Sequence, residues 1–412
     1  MLDIIKRLYP MNRVLVGDDE DKAIKTISEY IPLKVIKIPS GTKCFTWKVP
    51  DRWEVRGATL IDQTTGKLVL DYKNNPLHLF VGSLPFEGVV TFDELDKHLR
   101  HKCLLSKNRN AVPYAYPYYI LDWGFCLSEN QYEKLNRKHK YKVSIKTTYK
   151  KGFLTIGESV VKGKTKNEIL IIAHVDHPYQ ANDNLSAVAV AIKVAKEIKS
   201  QMPNHTVRFL FLPETIGSIV YVWKRMKTLG NVKAVIALDI VGNKNRVLIQ
   251  RSLDENNYIN YLWESSCKSL NLRYKMESFR GQIGSDELIF SDPEFNIPSV
   301  MVSTWPYSQY HTHLDKPEII DEKTLVDIKK LCMKVIRNYD RNFVPIRRWV
   351  GPLMRDKIGW FMGKRPEDWH LELFGYKVDG KKSVIEIAKE LGMDVDLALD
   401  YAHDLKARHL LE

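Results

Sequence analysis

The chain lacks any apolar run approaching the roughly 18 residues of a membrane-spanning helix, so no membrane partner is expected. Its start, MLDIIKRLYPMNRVLVGDDEDKAI, contains neither the apolar core nor the small-residue cleavage site of a secretory leader, which predicts a cytoplasmic location. Cysteine is sparse. The five present (Cys44, Cys103, Cys126, Cys267, Cys332) are odd in number, scattered and never spaced as CxxC, which excludes a disulfide framework and a thiolate zinc site. A basic recognition helix is also missing. The formal net charge is +13, yet from Val344 to Glu412 there are 12 Lys plus Arg against 12 Asp plus Glu. The last segment, Ser383 to Glu412, carries three Lys plus Arg against seven Asp plus Glu, the wrong sign for phosphate contacts, so DNA is not expected as a partner.

What is present is a large core. With 412 residues and 44% hydrophobic content, the chain exceeds the roughly 250 to 300 residues that one core serves, and two or three domains are expected. A helix is predicted from about Asp18 to Tyr30, with acidic residues at its start, followed by the apolar stretch LKVIKI. From Pro39 to about Leu84, β-branched and aromatic residues alternate with turn signals, the texture of a small β-rich unit. From Glu168 the rhythm becomes strand, loop, helix: EILIIA, NLSAVAVAIKVAKEIKS, TVRFLFL, TIGSIVYVWKRMKTL, KAVIALDIVG. That alternation predicts an α/β fold with a mainly parallel sheet covered by helices on both faces. The tail SVIEIAKELGMDVDLALDYAHDLKARHLLE pairs two amphipathic segments across a Gly-Met turn, as a helix-turn-helix or winged helix does. Its acidity points to protein contacts or self-association.

In open α/β sheets, ligand sites lie beyond the carboxyl ends of the strands. Here His174 and Asp176 follow EILIIA, Glu214 follows TVRFLFLP, and Asp239 closes KAVIAL. Three successive strands thus deliver metal-capable side chains to one sheet edge. Asp183 stands between two asparagines at a helix start; taken alone it also reads as a helix cap. In QYHTHLDKPEII, His311 precedes Asp315 by four residues, which suits an imidazole ligand whose second nitrogen is held by a carboxylate. His313 competes with it in the same loop.

In order and spacing, AHVD, ANDNLSAVAV, ALDIVG, GSDELIF with NIPSVMV, and YHTHLD resemble the co-catalytic zinc exopeptidases, which include bacterial secreted aminopeptidases and glutamate carboxypeptidase. PSGTKCFTWKVPDRWEV and WGFCLSENQYEKL narrow the resemblance to bacterial aminopeptidase-like proteins with an inserted small β domain and a C-terminal winged helix, often linked to surface-polysaccharide gene clusters. The resemblance implies a discontinuous catalytic domain (1–36 and 110–343), an inserted β-rich domain (37–109) and a winged-helix-like domain (344–412). It implies one or two zinc ions, with His174 and Asp239 on one metal, His311 and Glu214 on the other, and Asp183 bridging. Asp176 would orient His174, Tyr310 would stabilise the oxyanion, and Arg280 would assist or hold a substrate carboxylate. His177 is the alternative ligand to His174.

One departure stands out. The exopeptidases carry two adjacent glutamates after the second strand, general base then ligand, whereas this chain has Pro213, Glu214, Thr215. Glu214 is therefore either the base or the ligand. The expected activity is zinc-dependent hydrolysis of an amide bond by a metal-activated water, in a peptide or another small amide. A deacylase acting on a modified sugar, and an impaired scaffold of the same fold, are the alternatives.

Overall fold

The computed structural model describes residues 1–117, 119–360 and 366–412. Its centre is a sheet of eight strands: β1 (Lys34–Pro39), β2 (Phe153–Val161), β3 (Glu168–His174), β4 (Thr206–Leu212), β5 (Val232–Leu238), β6 (Val247–Gln250), β7 (Tyr274–Glu277) and β8 (Ser299–Ser303). The spatial order is β1-β2-β4-β3-β5-β8-β6-β7. The four central strands β4, β3, β5 and β8 are mutually parallel, and β1, β2 and β6 run antiparallel to their inner neighbours.

All seven residues of β3 are buried, which is why EILIIAH reads as a continuous apolar run rather than an alternation. Ile169, Ile171 and Ala173 pack into the core beneath helices Leu185–Ile198 and Glu322–Arg341, while Leu170 and Ile172 face the core of helix Ile216–Arg225. Helices cover both faces, as the strand-helix rhythm predicts. The expected N-terminal helix spans Asp18–Ser28, and LKVIKI supplies β1.

The β-rich unit extends further along the chain than expected. Its four-stranded antiparallel sheet runs Lys67–Asp71, Arg52–Asp62, Lys140–Lys150, Phe86–Thr91, so the boundary at residue 109 cuts through it. Lys140–Lys150 pairs with Arg52–Asp62 along its whole length, and its alternating burial places Tyr141, Val143 and Ile145 in a separate core with Leu60, Phe92 and Phe125. The chain re-enters the main sheet only at Phe153.

The C-terminal region is helical, with Pro366–Lys377, Val384–Leu391 and Val395–Ala407. A capping box between Ser383 and Glu386 opens the second helix, and Gly392, at φ 65°, closes it in the left-handed conformation that glycine adopts most readily. Residues 346–348 and 410–412 pair antiparallel through backbone hydrogen bonds. These helices share one core with Tyr258–Ser269 and Glu322–Arg341 rather than standing apart. Among the described residues no helix is long and apolar enough to cross a membrane.

Candidate metal centre

Parallel pairing aligns the carboxyl ends of the central strands. His174 lies beside Leu212, Ile172 beside Ala237, and Leu238 beside Val302. The residues just beyond these ends, Asp176 and His177 after β3, Glu214 after β4, Asp239 after β5 and the loop to His311 after β8, therefore open on one crevice.

The loops are fastened to one another by their own side chains. Asp315, fully buried, accepts the backbone N–H groups of Ala181 (3.2 Å), Asn182 (2.7 Å) and Asp183 (3.1 Å), and the hydroxyl of Tyr307 donates to it at 2.6 Å. The Asn184 side chain donates to the carbonyl of Leu238 and accepts from the amide of Ile240. Asn182 accepts from the amide of Gly242, where an added Cβ would lie 2.8 Å from Ser186 Cβ, so that approach requires glycine. The run ANDNLS is thus the fastener between two strand ends.

Ligand-capable atoms fall into three overlapping groups among the described residues: His174, Asp176 and His177; His177, Asp183 and His311; and His174, Glu214 and Asp239. His174 Nε2 lies 3.3 Å from Asp239 Oδ1 and 3.5 Å from Asp183 Oδ1. Asp183 Oδ1 is 3.0 Å from His177 Nδ1, and Asp183 Oδ2 is 2.9 Å from His311 Nε2. Glu214 Oε2 sits 3.4 Å from His177 Nε2, and Glu214 Oε1 accepts from the Ser285 hydroxyl at 3.0 Å. Two ligands on one tetrahedral zinc lie roughly 3.4 Å apart, given bonds near 2.0 to 2.1 Å. Several of these separations suit shared ligation better than a strong hydrogen bond.

The ring nitrogens support this reading of the donor set. Among the described residues, His174 Nδ1, His177 Nε2 and His311 Nε2 are buried without an aligned hydrogen-bond partner; His311 Nε2 is close to Asp183 but out of line for N–H donation. Buried polar atoms in this condition are rare unless an ion or water completes them. The set of imidazoles and carboxylates fits a divalent metal of the zinc class.

The charges agree. Burial opposes protonation of His174 and His177, but the carboxylates around them win and raise both pKa values well above the ordinary imidazole range. Burial raises Asp239 to about 6 in spite of His174. Asp286 rises to about 7 through burial and then repulsion from Glu214, and Glu287 rises to about 7 through burial. Without a cation, protons on the histidines balance the carboxylates.

His174, Asp176, His177, Asp183, Glu214, Asp239 and His311 are all brought together. His174 and His177 lie side by side, with ring centroids 4.8 Å apart, and fall in one group with Asp176, while His177 also groups with Asp183 and His311 and His174 with Glu214 and Asp239. Asp176 Oδ1 is 3.4 Å from His174 Nδ1 and accepts the amide of Glu214 at 2.8 Å, linking the first two strand ends. The Tyr310 ring stacks on His311 at 3.8 Å. Arg280 stands on an exposed loop, its guanidinium folded against Gly284.

Two expectations are corrected. Asp315 does not hold the second nitrogen of His311; its oxygens are occupied by the 181–183 backbone and Tyr307. His313 is turned out of the centre, because its Nδ1 accepts the amide of Val112 at 2.9 Å. That pairing reveals residues the sequence reading missed. Residues 112–114 pair with 311–313 and carry Tyr114 and Tyr116 over the histidines, with ring centroids 5.2 to 5.8 Å from His177 and His311. The aromatic density of VPYAYPYY was the only local signal. Tyr116 also lines a cavity of about 400 Å³, together with Val16, Val49, Trp53 and Ile120.

Residues 2–342 match a family model described as "Domain of unknown function (DUF4910)". The chain belongs to that family. It is 31% identical over 403 residues to a Clostridium acetobutylicum protein provisionally named for polysaccharide biosynthesis with an aminopeptidase-like domain, covering 95% of this chain and 91% of that one. A crystal structure from Clostridium acetobutylicum, provisionally assigned as a peptidase, superposes with a TM-score of 0.86 at 30% identity, covering 100% of this chain and 95% of that one. The zinc aminopeptidase of Bacillus subtilis superposes at 0.62 with 19% identity, covering 82% of this chain and 93% of the enzyme. The family member described here therefore has the mixed α/β fold of the zinc aminopeptidases, with a helical C-terminal region.

Proposed function

We propose that this chain is a zinc-dependent hydrolase of amide bonds, acting as an aminopeptidase-like exopeptidase. The observation that carries the reading is the convergence of His174, His177, Asp183, Asp239 and His311, each buried or nearly so, with three imidazole nitrogens lacking an aligned hydrogen-bond partner among the described residues. His174, Asp239 and Asp183 would hold one ion, and Asp183, His311 and His177 a second. His177 then occupies the place of the ligand glutamate that the chain lacks, and Glu214 is free to be the general base.

Exposure supports that division. The Glu214 side chain is 18% exposed, against 2% for Asp183 and 4% for Asp239, so it is the carboxylate that faces an entering substrate. Zinc in such a centre polarises a carbonyl and makes water acidic. Glu214, steadied by Ser285, takes the proton of the attacking water and passes it to the leaving amine. Burial, together with Asp183, Tyr116 and Asp239, holds the Tyr310 phenol protonated far above its ordinary range, so it can donate to the oxyanion. Arg280, exposed on its loop, is the candidate cation for a substrate carboxylate.

The name of the clostridial relative supports a second reading, amide hydrolysis on a modified sugar. Elemental analysis of the purified protein tests both: less than one zinc or similar ion per chain after incubation with zinc removes them together. A panel of aminoacyl and N-acyl reporters then separates peptidase from deacylase, and Asp183→Asn should abolish whichever activity appears.

A further inference from the structure

Arg13 is fully buried and is none of the ligand-capable residues of the centre. It lies far from the centre in sequence, between the helices Leu2–Leu8 and Asp18–Ser28. Its guanidinium reaches the loop that follows β3. Nη1 donates to the carbonyls of Val175 (2.5 Å) and Asp176 (3.2 Å), and Nη2 donates to those of His177 (2.7 Å) and Gln180 (2.9 Å). One side chain thus satisfies four backbone oxygens in six consecutive residues.

That loop needs such a partner. His177 and Tyr179 adopt φ values of 71° and 58°, a left-handed backbone that non-glycine residues seldom hold unless their surroundings impose it. The turn directs several carbonyls inward, where among the described residues a single backbone amide, that of Gln180 on the His177 carbonyl at 3.4 Å, meets them, and buried carbonyls must find donors. The same turn aims His177 at Asp183 while His174 stays at the strand end. The backbone around Arg13 is itself fixed: the amide of Asn12 donates to Asp19 Oδ2 at 2.8 Å, and the amide of Trp53 donates to the carbonyl of Val16 at 3.2 Å. Val14 and Val16 are buried in two separate cores.

We propose that Arg13 is a positioning residue of the metal centre, holding the 174–180 loop so that His174 and His177 present their nitrogens to different ions. It touches neither metal nor substrate and acts through the carbonyls. The planar fork of arginine is required, because its two terminal nitrogens each serve two acceptors, whereas the single nitrogen of lysine cannot span them. This inference rests on the metal-centre reading above.

The test uses the full-length protein. Zinc affinity is measured by competition with a chromogenic chelator, and coordination by the visible spectrum of the cobalt(II) form, for the wild type, Arg13→Lys and Arg13→Gln. Arg225→Gln is the control: it breaks a buried ion pair with Glu168 at the opposite end of β3 from His174. Removing an outer support of metal ligands costs about 10- to 100-fold in affinity. Arg13→Gln is expected to weaken zinc binding by that factor and alter the cobalt spectrum, with Arg13→Lys recovering part and Arg225→Gln changing neither. If a variant is unfolded without metal, its unfolding midpoint across a zinc series reads the same affinity through linkage. Zinc affinity within about twofold of wild type in both Arg13 variants, or an equal loss in Arg225→Gln, overturns the assignment. Wild-type protein that binds no zinc defeats the metal-centre reading instead.

Discussion

Replacing Asp315 with asparagine tests whether this carboxylate clamps a loop or orients a histidine. Its Oδ1 accepts the amides of Ala181 and Asn182, and its Oδ2 accepts the amide of Asp183 and the hydroxyl of Tyr307. An amide side chain keeps one oxygen and turns the other into a donor, which then faces N–H groups that also donate. The Tyr307 hydroxyl can rotate to accept, but the backbone amide cannot. At about 1.5 to 3 kcal/mol for a hydrogen bond to a charged acceptor, plus the cost of an orphaned buried amide, Asp315→Asn should destabilise the metal-free protein by about 3 to 5 kcal/mol. Tyr307→Phe, which removes a single donor, should cost about 1 to 2 kcal/mol. Urea denaturation of both variants, with zinc binding measured in parallel, gives the comparison. The displaced Asp183 should also weaken zinc binding in Asp315→Asn. A variant within about 0.5 kcal/mol of wild type that still binds zinc normally refutes the clamp.

The remaining predictions concern the centre directly. His177→Ala is expected to lower zinc stoichiometry while the His174 group keeps its ion; unchanged stoichiometry by elemental analysis removes His177 from the ligand set. Glu214→Gln should retain metal and lose about 10² to 10⁴ in kcat, as a missing general base does. Loss of zinc in that variant would instead make Glu214 a ligand. The pH dependence of the metal-free protein follows from the raised groups. His174 and His177, raised by their carboxylate neighbours against burial, contribute stability that is full below about 6.5 and lost as pH climbs through their folded values. Asp239, raised to about 6, and Asp286 and Glu287, raised to about 7 by burial, contribute stability that is full below about 4 and is lost as pH rises through those values. Both effects have the same sign, so the melting temperature after chelation should fall between about pH 5 and 8 and flatten when zinc is restored, because metal displaces the protons. A melting temperature that rises across this window contradicts the charge balance.

Much of the centre was legible because α/β sheets put chemistry at strand ends. EILIIAH, TVRFLFLPE and KAVIALD each show an apolar run closed by a polar residue, and parallel pairing leaves such residues no other common edge. Local chemistry also marked the Asp18 helix and the glycine at 392. The extent of the β-rich unit was not legible, since KYKVSIKTTYK pairs with two strands, Arg52–Asp62 and Phe86–Thr91, that lie far earlier in the chain. Nor could Tyr114 and Tyr116 be found, because their position depends on pairing between residues 112–114 and 311–313.

By itself, the sequence determined the α/β class and the identity of the residues gathered at the sheet edge, because periodicity and strand-end position are local properties of the chain. Tertiary structure decided how those residues divide. It joined His177 to Asp183 and His311 and His174 to Glu214 and Asp239, gave Asp315 to the backbone rather than to His311, turned His313 away, and brought Arg13 beneath the loop that carries Asp176 and His177. The physical reason is common to all of these. A side chain's role at a buried centre is set by which atoms lie within about 3 Å of it, and that depends on contacts between segments far apart in the chain.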